Sequence, residues 1–339
     1  MKGIGVLPVP FRMKRYFYMK LKLNDLVPGI IIRVLSFVAV IVMVFMFYFV
    51  FYKASPVLVS SGLKIFTQTG FDKQISDAFN AQNGDPAVTF GMLGLIGGTF
   101  FSTLIALVIA SVLGIGATMA ICEFMPAKLS IFVKAIVRLL ASIPSVVFGL
   151  IGTITVVPFV EKTFVTVDMQ IAYLEYFQMT GRNLLSSVII LSFMIVPTII
   201  SLSIDAVNSV PASYREVGYA FGMSHFRVIW KIVIPSALSG ITAGIILGAG
   251  RGIGEAIAVS MVCGGIGYLP DFTKGFVGFL TPILPLSAAI INKSEAMSVP
   301  AVESALFTCG AILLVFSAIL SVSAKLVEKQ IRKVKGHDE

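Results

Sequence analysis

The sequence has few charged residues. Asp, Glu, Lys and Arg make up 13% of its 339 residues, whereas a soluble globular domain has about 25%. The mean hydropathy is correspondingly high, at +0.96. A chain of this length with so few charges does not have enough polar side chains for a surface that faces water. The composition therefore excludes an ordinary soluble enzyme or binding domain and indicates that lipid surrounds much of the chain.

Cysteine and histidine are also scarce. The three cysteines lie in or beside apolar runs and are too far apart for a metal-binding motif. Their odd number indicates no disulfide framework. With only two histidines, His225 and His337, the sequence predicts no metal site. It also lacks the Gly-x4-Gly-Lys-Ser/Thr loop that cradles nucleotide phosphates, so we expect this chain to bind neither ATP nor another cofactor.

Long uncharged runs take the place of the missing charge. Each run is at least about as long as the roughly 20 residues that cross a bilayer as a helix. There are six such runs, at residues 34–52, 87–122, 139–160, 183–204, 232–250 and 304–324. No small-residue cleavage site follows the first run, which favours an anchor over a signal peptide. We therefore predict an all-α, multi-pass membrane protein with six transmembrane helices in a lipid bilayer.

The formal net charge of +9 is unevenly distributed. Eighteen of the 26 Lys and Arg residues fall within four segments, at residues 1–33, 123–138, 205–231 and 323–339. Seven fall within the alternating segments, at residues 53–86, 161–182 and 264–303. Because cytoplasmic loops are enriched in Lys and Arg, both termini are predicted to be cytoplasmic. The excess charge thus indicates membrane topology rather than nucleic-acid binding.

No polar stretch is long enough to form a separate soluble domain. We divide the chain into a basic tail, first anchor and outside loop (residues 1–85), a transmembrane core (86–325) and a basic cytoplasmic tail (326–339). The outside stretch 264–303 is rich in Gly and Pro and contains an apolar piece, at 268–292, that is too interrupted to count as a span. That piece is compatible with either a re-entrant or an interfacial segment.

The loop over residues 205–235 predicts a short cytoplasmic helix. Ser213 and Glu216 have the spacing of a capping box, in which each side chain bonds to a free backbone donor. Gly222 stands where a left-handed residue would end the helix. The pattern therefore predicts a helix over residues 213–221.

One face of this predicted helix is apolar and aromatic. Tyr214, Val217 and Phe221 recur at intervals of three to four residues, with Gly218 between them. Such a face fits a groove on a soluble partner. The alternative is an interfacial helix that rests on lipid headgroups.

Two ionisable residues, Arg251 and Glu255, follow the fifth uncharged run. At about 1.5 Å per residue, Arg251 lies roughly 24 Å along the helix from Pro235, in the middle to outer half of the membrane. A charge there costs at least about 2.5 kcal/mol and normally faces a cavity or pathway. The i,i+4 spacing predicts that the two side chains meet. Either they neutralise each other, or Arg251 binds an oxyanion such as phosphate and Glu255 holds it in place.

Glycines recur every four residues on the same predicted helix, at Gly240, Gly244, Gly248 and Gly252. Small residues at that spacing allow two helix backbones to approach closely in a bilayer. The alternative is a membrane helix that is merely rich in glycine.

Hydroxyl side chains are further candidates for the lining of a path. Ser142 and Ser145 flank Pro144 in the third predicted helix, where the proline frees a backbone carbonyl. Their hydroxyls either satisfy that carbonyl or face a polar path; the alternative is an ordinary kinked helix. Thr103, in the second predicted helix, is a similar candidate.

The loop over residues 205–235 resembles the EAA loop of ABC-type import permeases, whose pattern is Glu-Ala-Ala-x3-Gly-x9-Ile-x-Leu-Pro. Four positions match: Glu216, Gly222, Ile232 and Pro235. Val217 and Gly218 replace the two alanines, and Ile234 replaces leucine. In that family the loop forms a coupling helix that enters a cleft on the ATPase subunit. The resemblance implies a permease core of the MetI-like kind and a separate ATPase that binds the ATP.

Residues 251–259, Arg-Gly-Ile-Gly-Glu-Ala-Ile-Ala-Val, resemble the Arg-x-x-Gly-Glu-Thr-Met-Ala-Val stretch of phosphate-specific permeases of the PstC type. Ala256 and Ile257 replace Thr and Met, so the hydroxyl beside the Glu is absent. Residues 141–149 resemble the Ile-Pro-Ser-Ile-Val-Tyr-Gly element of the same family. The likeness covers roughly residues 30–325. It implies a prokaryotic inner-membrane subunit that works with a PstA-like permease, two ATPase subunits and an extracytoplasmic phosphate-binding protein.

Other functions remain open at this point. A permease for a different oxyanion, such as sulfate or molybdate, would show the same physical features. An intramembrane enzyme would use Glu255 as an acid or base, although no second catalytic group falls at a motif spacing. A passive anion channel would conduct without ATP and would make the EAA-like loop unnecessary.

Overall fold

The computed structural model describes residues 11–80 and 89–334. Within these ranges the only β pairing is a single bridge between Gly264 and Ile283, so the predicted all-α class is confirmed. The α-helices are α1 (Phe11–Ser61), α2 (Lys64–Thr67), α3 (Phe71–Asn80), α4 (Leu93–Met119), α5 (Ala127–Ala141), α6 (Ser145–Ile151), α7 (Val157–Phe164), α8 (Val167–Ala172), α9 (Leu184–Asn208), α10 (Ala212–Ala220), α11 (His225–Val228), α12 (Ile234–Gly254), α13 (Ile257–Val262), α14 (Leu286–Asn292) and α15 (Pro300–Val334).

Within the described ranges, six helical segments are long and apolar enough to cross a membrane. They are Pro28–Ser61, Leu93–Phe124, Ser145–Phe164, Leu184–Asn208, His225–Gly254 and Pro300–Ser323. Each overlaps one of the six uncharged runs, in the same order along the chain. The prediction of six transmembrane helices is therefore confirmed.

Three of these segments contain a π-helical turn, at Ala120–Phe124, Gly152–Val156 and Ile229–Val233. A proline follows two residues after the end of each turn, at Pro126, Pro158 and Pro235. The residue just before each proline donates its N–H to the carbonyl five residues earlier. Proline has no N–H to continue the regular i→i−4 ladder, and the wider turn uses the neighbouring N–H instead.

The chain divides into two compact units, Met1–Tyr52 and Lys53–Glu339. In the first unit, α1 exposes almost all of its described apolar side chains, as expected for a helix that lipid surrounds. In the second unit, Val57, Ile65 and Phe71 are buried in the main apolar core. Residues 53–80 therefore belong to the second compact unit. The predicted boundary between residues 85 and 86 lies outside the described residues.

Helix α9 is the most buried span of the second unit. In its most apolar stretch of 18 residues, 67% of the residues are buried, against a third or less in the corresponding stretch of every other span. Two of its buried serines, Ser187 and Ser192, donate to carbonyls one turn back on the same helix. Helices α4 and α12 both pack against α9, which makes α9 the central support of the helical core.

The four glycines of α12, Gly240, Gly244, Gly248 and Gly252, face α9. A methyl group at Gly240 would lie 2.4 Å from Cβ of Ala206, and one at Gly248 would lie 2.8 Å from Cγ2 of Ile195. Both distances are shorter than a carbon–carbon contact. The backbones of α9 and α12 reach this separation because these positions carry no side chain.

The Gly- and Pro-rich stretch after α13 folds back into the core. Gly264 and Gly265 have φ values of +96° and +76°, which glycine adopts at little cost. Leu284 and Leu286 are fully buried, and the N–H of Leu286 donates to Oγ1 of Thr99 on α4 at 2.8 Å. The second half of the stretch is thus packed among helices, which distinguishes it from an interfacial segment lying on a surface.

Replacing Gly248 with Leu tests the close packing of α9 and α12. Overpacking at a tight contact costs about 1–3 kcal/mol, so we expect a lower melting temperature for the purified protein in detergent. Gly116→Leu is the control, because a Cβ atom at Gly116 would meet no atom within 4 Å. Equal melting temperatures for the two variants would contradict the packing argument.

Candidate functional site

Arg251 lies in the last turn of α12 and is bound by neutral oxygens. Its Nη1 donates to Oγ1 of Thr198 on α9 at 3.1 Å and to the backbone oxygen of Ala141 at the end of α5 at 3.4 Å. Within the described residues, Nε and Nη2 make no hydrogen bond. A guanidinium group carries five N–H donors, so Arg251 is oriented by the protein while most of its donors remain available.

Glu255 does not pair with Arg251. Helix α12 ends at Gly254, and Glu255 has an extended backbone with φ −74° and ψ 113°. Its Oε1 instead accepts from the N–H of Ala258 at 3.0 Å, at the start of α13. The part of the chain that the structure describes contains no ion pair between Arg251 and Glu255. The contact expected from i,i+4 spacing is absent because the helix stops between the two residues.

Arg251 lines a cavity of about 640 Å³ between α9, α12 and α15. A second cation, Lys325, lines the same cavity, whereas no carboxylate does. Five hydroxyl groups complete the polar part of the wall: Thr198, Ser239, Thr242, Ser317 and Ser321. A concave site with two cations and several hydroxyls attracts anions.

Pro144 separates two helices rather than kinking one. Helix α5 ends at Ala141, and α6 begins at Ser145. The interruption leaves the carbonyl of Ala141 as the acceptor for Arg251. Ser142 is exposed, and its hydroxyl donates to a backbone carbonyl three residues earlier at 2.7 Å. The interpretation as a kinked helix is therefore wrong, and the break itself contributes a polar atom to the site.

Thr103 lies apart from the cavity that Arg251 lines. Its Oγ1 is buried and has no hydrogen-bond partner within the described residues. Its Cγ2 would lie 3.0 Å from a methyl group at Gly252, so it contacts the end of the glycine row. Thr103 lines a separate, mainly apolar cavity of about 350 Å³ together with Phe316 and Ile319.

The short cytoplasmic helix forms as α10, one residue earlier at each end than the predicted range 213–221. Its start differs in mechanism from the expected capping box: Pro211 occupies the N-cap position, and no side chain caps the helix. Pro211, with φ −57°, sets the chain direction there. Its end agrees with the prediction, because Gly222 has a φ of +70°.

Helix α10 has one exposed apolar face and one packed face. Tyr214, Val217 and Phe221 are 50%, 54% and 83% exposed. On the other side Gly218 is buried, and a methyl group there would lie 2.6 Å from Cδ1 of Ile232. Gly218 thus brings α10 against the start of the span that carries Arg251 in its last turn, while the aromatic face points away from the protein.

An ion pair that the sequence analysis missed joins α10 to the end of α4. Nη2 of Arg215 lies 2.9 Å from Oε1 of Glu123, and the two residues are 92 positions apart. The Glu123 side chain is only 7% exposed and that of Arg215 is 25% exposed. Sequence spacing does not reveal so distant a pair. The available signal was an acidic residue placed directly after an apolar run of transmembrane length.

Comparisons with known proteins agree with this architecture. The family described as "Binding-protein-dependent transport system inner membrane component" matches residues 112–333. "Probable ABC transporter permease protein YqgH" of Bacillus subtilis is 34% identical over 76% of this chain and 76% of its own length. "Phosphate transport system permease protein PstC 1" of Mycobacterium tuberculosis is 31% identical over 72% of this chain and 74% of its own.

A solved structure of the MetNI methionine ABC transporter in an inward-facing conformation aligns with a TM-score of 0.49 and 17% identity, over 69% of this chain and 93% of that one. The family match covers well over half of the present sequence and includes α10, α12 and both partners of the Glu123–Arg215 pair. The chain therefore belongs to the family of inner-membrane components of binding-protein-dependent transport systems, and it is a permease subunit of an ABC importer rather than an enzyme.

Proposed function

We propose that this chain is the PstC-like permease subunit of an ATP-driven, binding-protein-dependent phosphate importer. The observation that carries the proposal is the state of Arg251. A carboxylate partner would neutralise its charge, whereas Thr198 and the carbonyl of Ala141 orient the guanidinium and leave the charge intact. An oriented, uncompensated guanidinium at a cavity wall suits a tetrahedral oxyanion.

The choice of phosphate is supported by relatives rather than by geometry. Several similar proteins carry the name PstC, at 27–31% identity over most of this chain. Sulfate and molybdate present oxygens to a guanidinium in much the same way. Competition between these anions therefore belongs to the test of the proposal.

Partner subunits complete the proposed importer. A PstA-like permease forms the other half of the path, and an extracytoplasmic phosphate-binding protein delivers the anion. Two ATPase subunits bind ATP. One of these subunits docks on the exposed face of α10 formed by Tyr214, Val217 and Phe221. The excess of basic residues in alternate segments supports cytoplasmic termini in a prokaryotic inner membrane.

In the proposed cycle, closure of the ATPases displaces α10 and thereby shifts the transmembrane helices. Gly218 packs against Val228 and Ile232, at the start of the span His225–Gly254. Arg251 lies near the other end of that span, so a displacement at α10 has a continuous helical route to the cavity. ATP shifts the equilibrium between two conformations of the permease only by the difference in free energy between the ATPase contacts made in each conformation.

Replacing Arg251 with Ala tests the role of the cavity. Charge-assisted hydrogen bonds contribute about 1.5–3 kcal/mol, so we expect phosphate uptake to fall roughly 10- to 100-fold. The assay is uptake of radiolabelled phosphate by proteoliposomes that contain the assembled complex, the binding protein and ATP. Arg138→Ala is the matched control, because Arg138 is 66% exposed and lies outside the cavity. Uptake at the wild-type level by an assembled Arg251→Ala complex would refute the assignment.

The same assay distinguishes the anions. An excess of unlabelled sulfate or molybdate is expected to leave phosphate uptake unchanged. If the wild-type complex hydrolyses ATP but does not take up phosphate, the chain is still an importer subunit, but its substrate is a different anion. Uptake that continues without ATP would instead indicate a channel.

Replacing Glu216 with Lys tests docking of the ATPase. Glu216 is exposed and makes no hydrogen bond with the described residues, so its replacement leaves the contacts of the subunit intact. Charge reversal on the docking helix is expected to abolish co-purification of the ATPase without changing the melting temperature of the isolated subunit. Glu175→Lys, on an exposed segment far from α10 in sequence, is the control. Normal co-purification of the Glu216→Lys variant would contradict the proposed docking.

A further inference from the structure

A coupling helix has to transmit displacement as well as bind a partner. Helix α10 contacts the following span through the apolar surface at Gly218, and apolar contacts have little directional preference. Its polar contacts are directional, and they also reach a helix outside that span. They meet at Glu123, which lies in the π-helical turn Ala120–Phe124 at the end of α4.

The first polar connection is made by Arg215. Nη2 donates to Oε1 of Glu123 at 2.9 Å and to the backbone oxygen of Val207, in the last turn of α9, at 3.3 Å. One guanidinium group therefore joins α10 to the ends of both α4 and α9. The pair is largely shielded from water, since Glu123 is 7% exposed, and shielding strengthens an ion pair whose geometry is good.

The second connection passes through His225. Its Nε2 lies 3.2 Å from the backbone oxygen of Glu123, and its Nδ1 lies 2.7 Å from the hydroxyl of Tyr219 on α10. A carbonyl oxygen only accepts, so Nε2 carries a proton and donates to Glu123, while Nδ1 and the hydroxyl of Tyr219 share the second hydrogen bond. The imidazole also packs edge-on against Phe124, with centroids 5.4 Å apart. Helix α10 is thus joined to the same π turn by two independent routes.

Helix α4 links this turn to the region near Arg251. It packs against α9 and α12, and its Thr103 contacts Gly252, the residue after Arg251. At its other end, Oγ1 of Thr99 accepts from the N–H of Leu286 on α14. A displacement applied at Glu123 therefore acts on a helix that reaches both the site and the folded-back segment.

We infer that Arg215 and Glu123 are positioning residues for transport: their ion pair makes α4 follow the coupling helix when the ATPases close. This inference rests on the chain being an ABC importer permease and goes beyond the choice of anion. It assigns to the pair the conversion of ATP hydrolysis into rearrangement of α4. Without the pair, α10 would still dock through its exposed face, but its movement would reach the helical core only through the apolar contact at Gly218 and the hydrogen bonds of His225.

The test measures phosphate uptake and ATP hydrolysis in the same proteoliposomes, with the complete complex and the binding protein. Glu123→Arg and Arg215→Glu are each expected to lower the number of phosphates imported per ATP by at least about tenfold, since each places two like charges together. The double variant, Glu123→Arg with Arg215→Glu, restores opposite charges. It is expected to import at least threefold more phosphate per ATP than either single variant. A purely structural role would lower the yield of complex and leave this ratio unchanged.

A second ion pair supplies the matched control. Arg138 and Asp205 lie 3.6 Å apart, and their side chains are 66% and 59% exposed. Asp205→Lys is expected to leave the ratio of uptake to hydrolysis at the wild-type value. Solvent-exposed pairs contribute little, so this variant reports what charge reversal alone does in this part of the protein.

Two results would overturn the inference: wild-type ratios for both single reversals, or a double variant no better than the single ones. If the reversals do not assemble, the nearly isosteric Glu123→Gln takes their place; it is expected to lower the ratio severalfold, and an unchanged ratio overturns the inference. A wrong assignment of phosphate as the substrate is distinguishable from a wrong assignment of the ion pair, because in the first case the wild-type complex itself does not import phosphate. The ratio is then measured with the anion that the competition assay identifies.

Discussion

Inside a bilayer no water is present to satisfy polar groups, and this constraint governs most of the features described above. Backbone N–H and C=O groups find partners within helices, which explains the all-α fold. Where proline removes a donor, as at Pro158 and Pro235, the N–H of the preceding residue closes a π turn. Several serine and threonine hydroxyls donate one turn back, as Ser192 does on α9. The same rule applied to a charged group leads to the site, because Arg251 is held by a threonine oxygen and a freed carbonyl.

The end of α12 determines what the two ionisable residues near it do. On a continuous helix Arg251 and Glu255 would meet and cancel, leaving little positive potential in the cavity. The helix instead ends at Gly254, and Glu255 turns to the N–H of Ala258. Glycine favours such an end, because it stabilises helix less than other residues do apart from proline. The glycine-rich sequence therefore provides both close packing on α9 and a helix end that separates the two charges.

The features that were predictable from sequence are those set by neighbouring residues. Composition and uncharged runs predicted the six spans, and the position of Gly222 predicted the end of α10. Contacts between distant residues were not predictable in the same way. The partner of Arg251 depends on where Pro144 interrupts the chain, and the partner of Glu123 lies 92 positions away. The i,i+4 rule for Arg251 and Glu255 failed because it assumes a helix that continues through both residues.

The apolar route through Gly218 and the ionic route through Arg215 both lead from α10 into the membrane and meet at one place. The route through Gly218 follows a single stretch of chain to Arg251, whereas the route through Arg215 crosses to α4 at Glu123. Both α4 and α12 pack on α9, and they touch where Thr103 meets Gly252. A displacement that moved only α12 would have to shear that close contact, where a methyl group at Gly252 would lie 3.0 Å from Cγ2 of Thr103. Joint movement of α4 and α12 over α9 avoids this cost, and a directional ion pair at the far end of α4 is the kind of contact that makes the two helices move together.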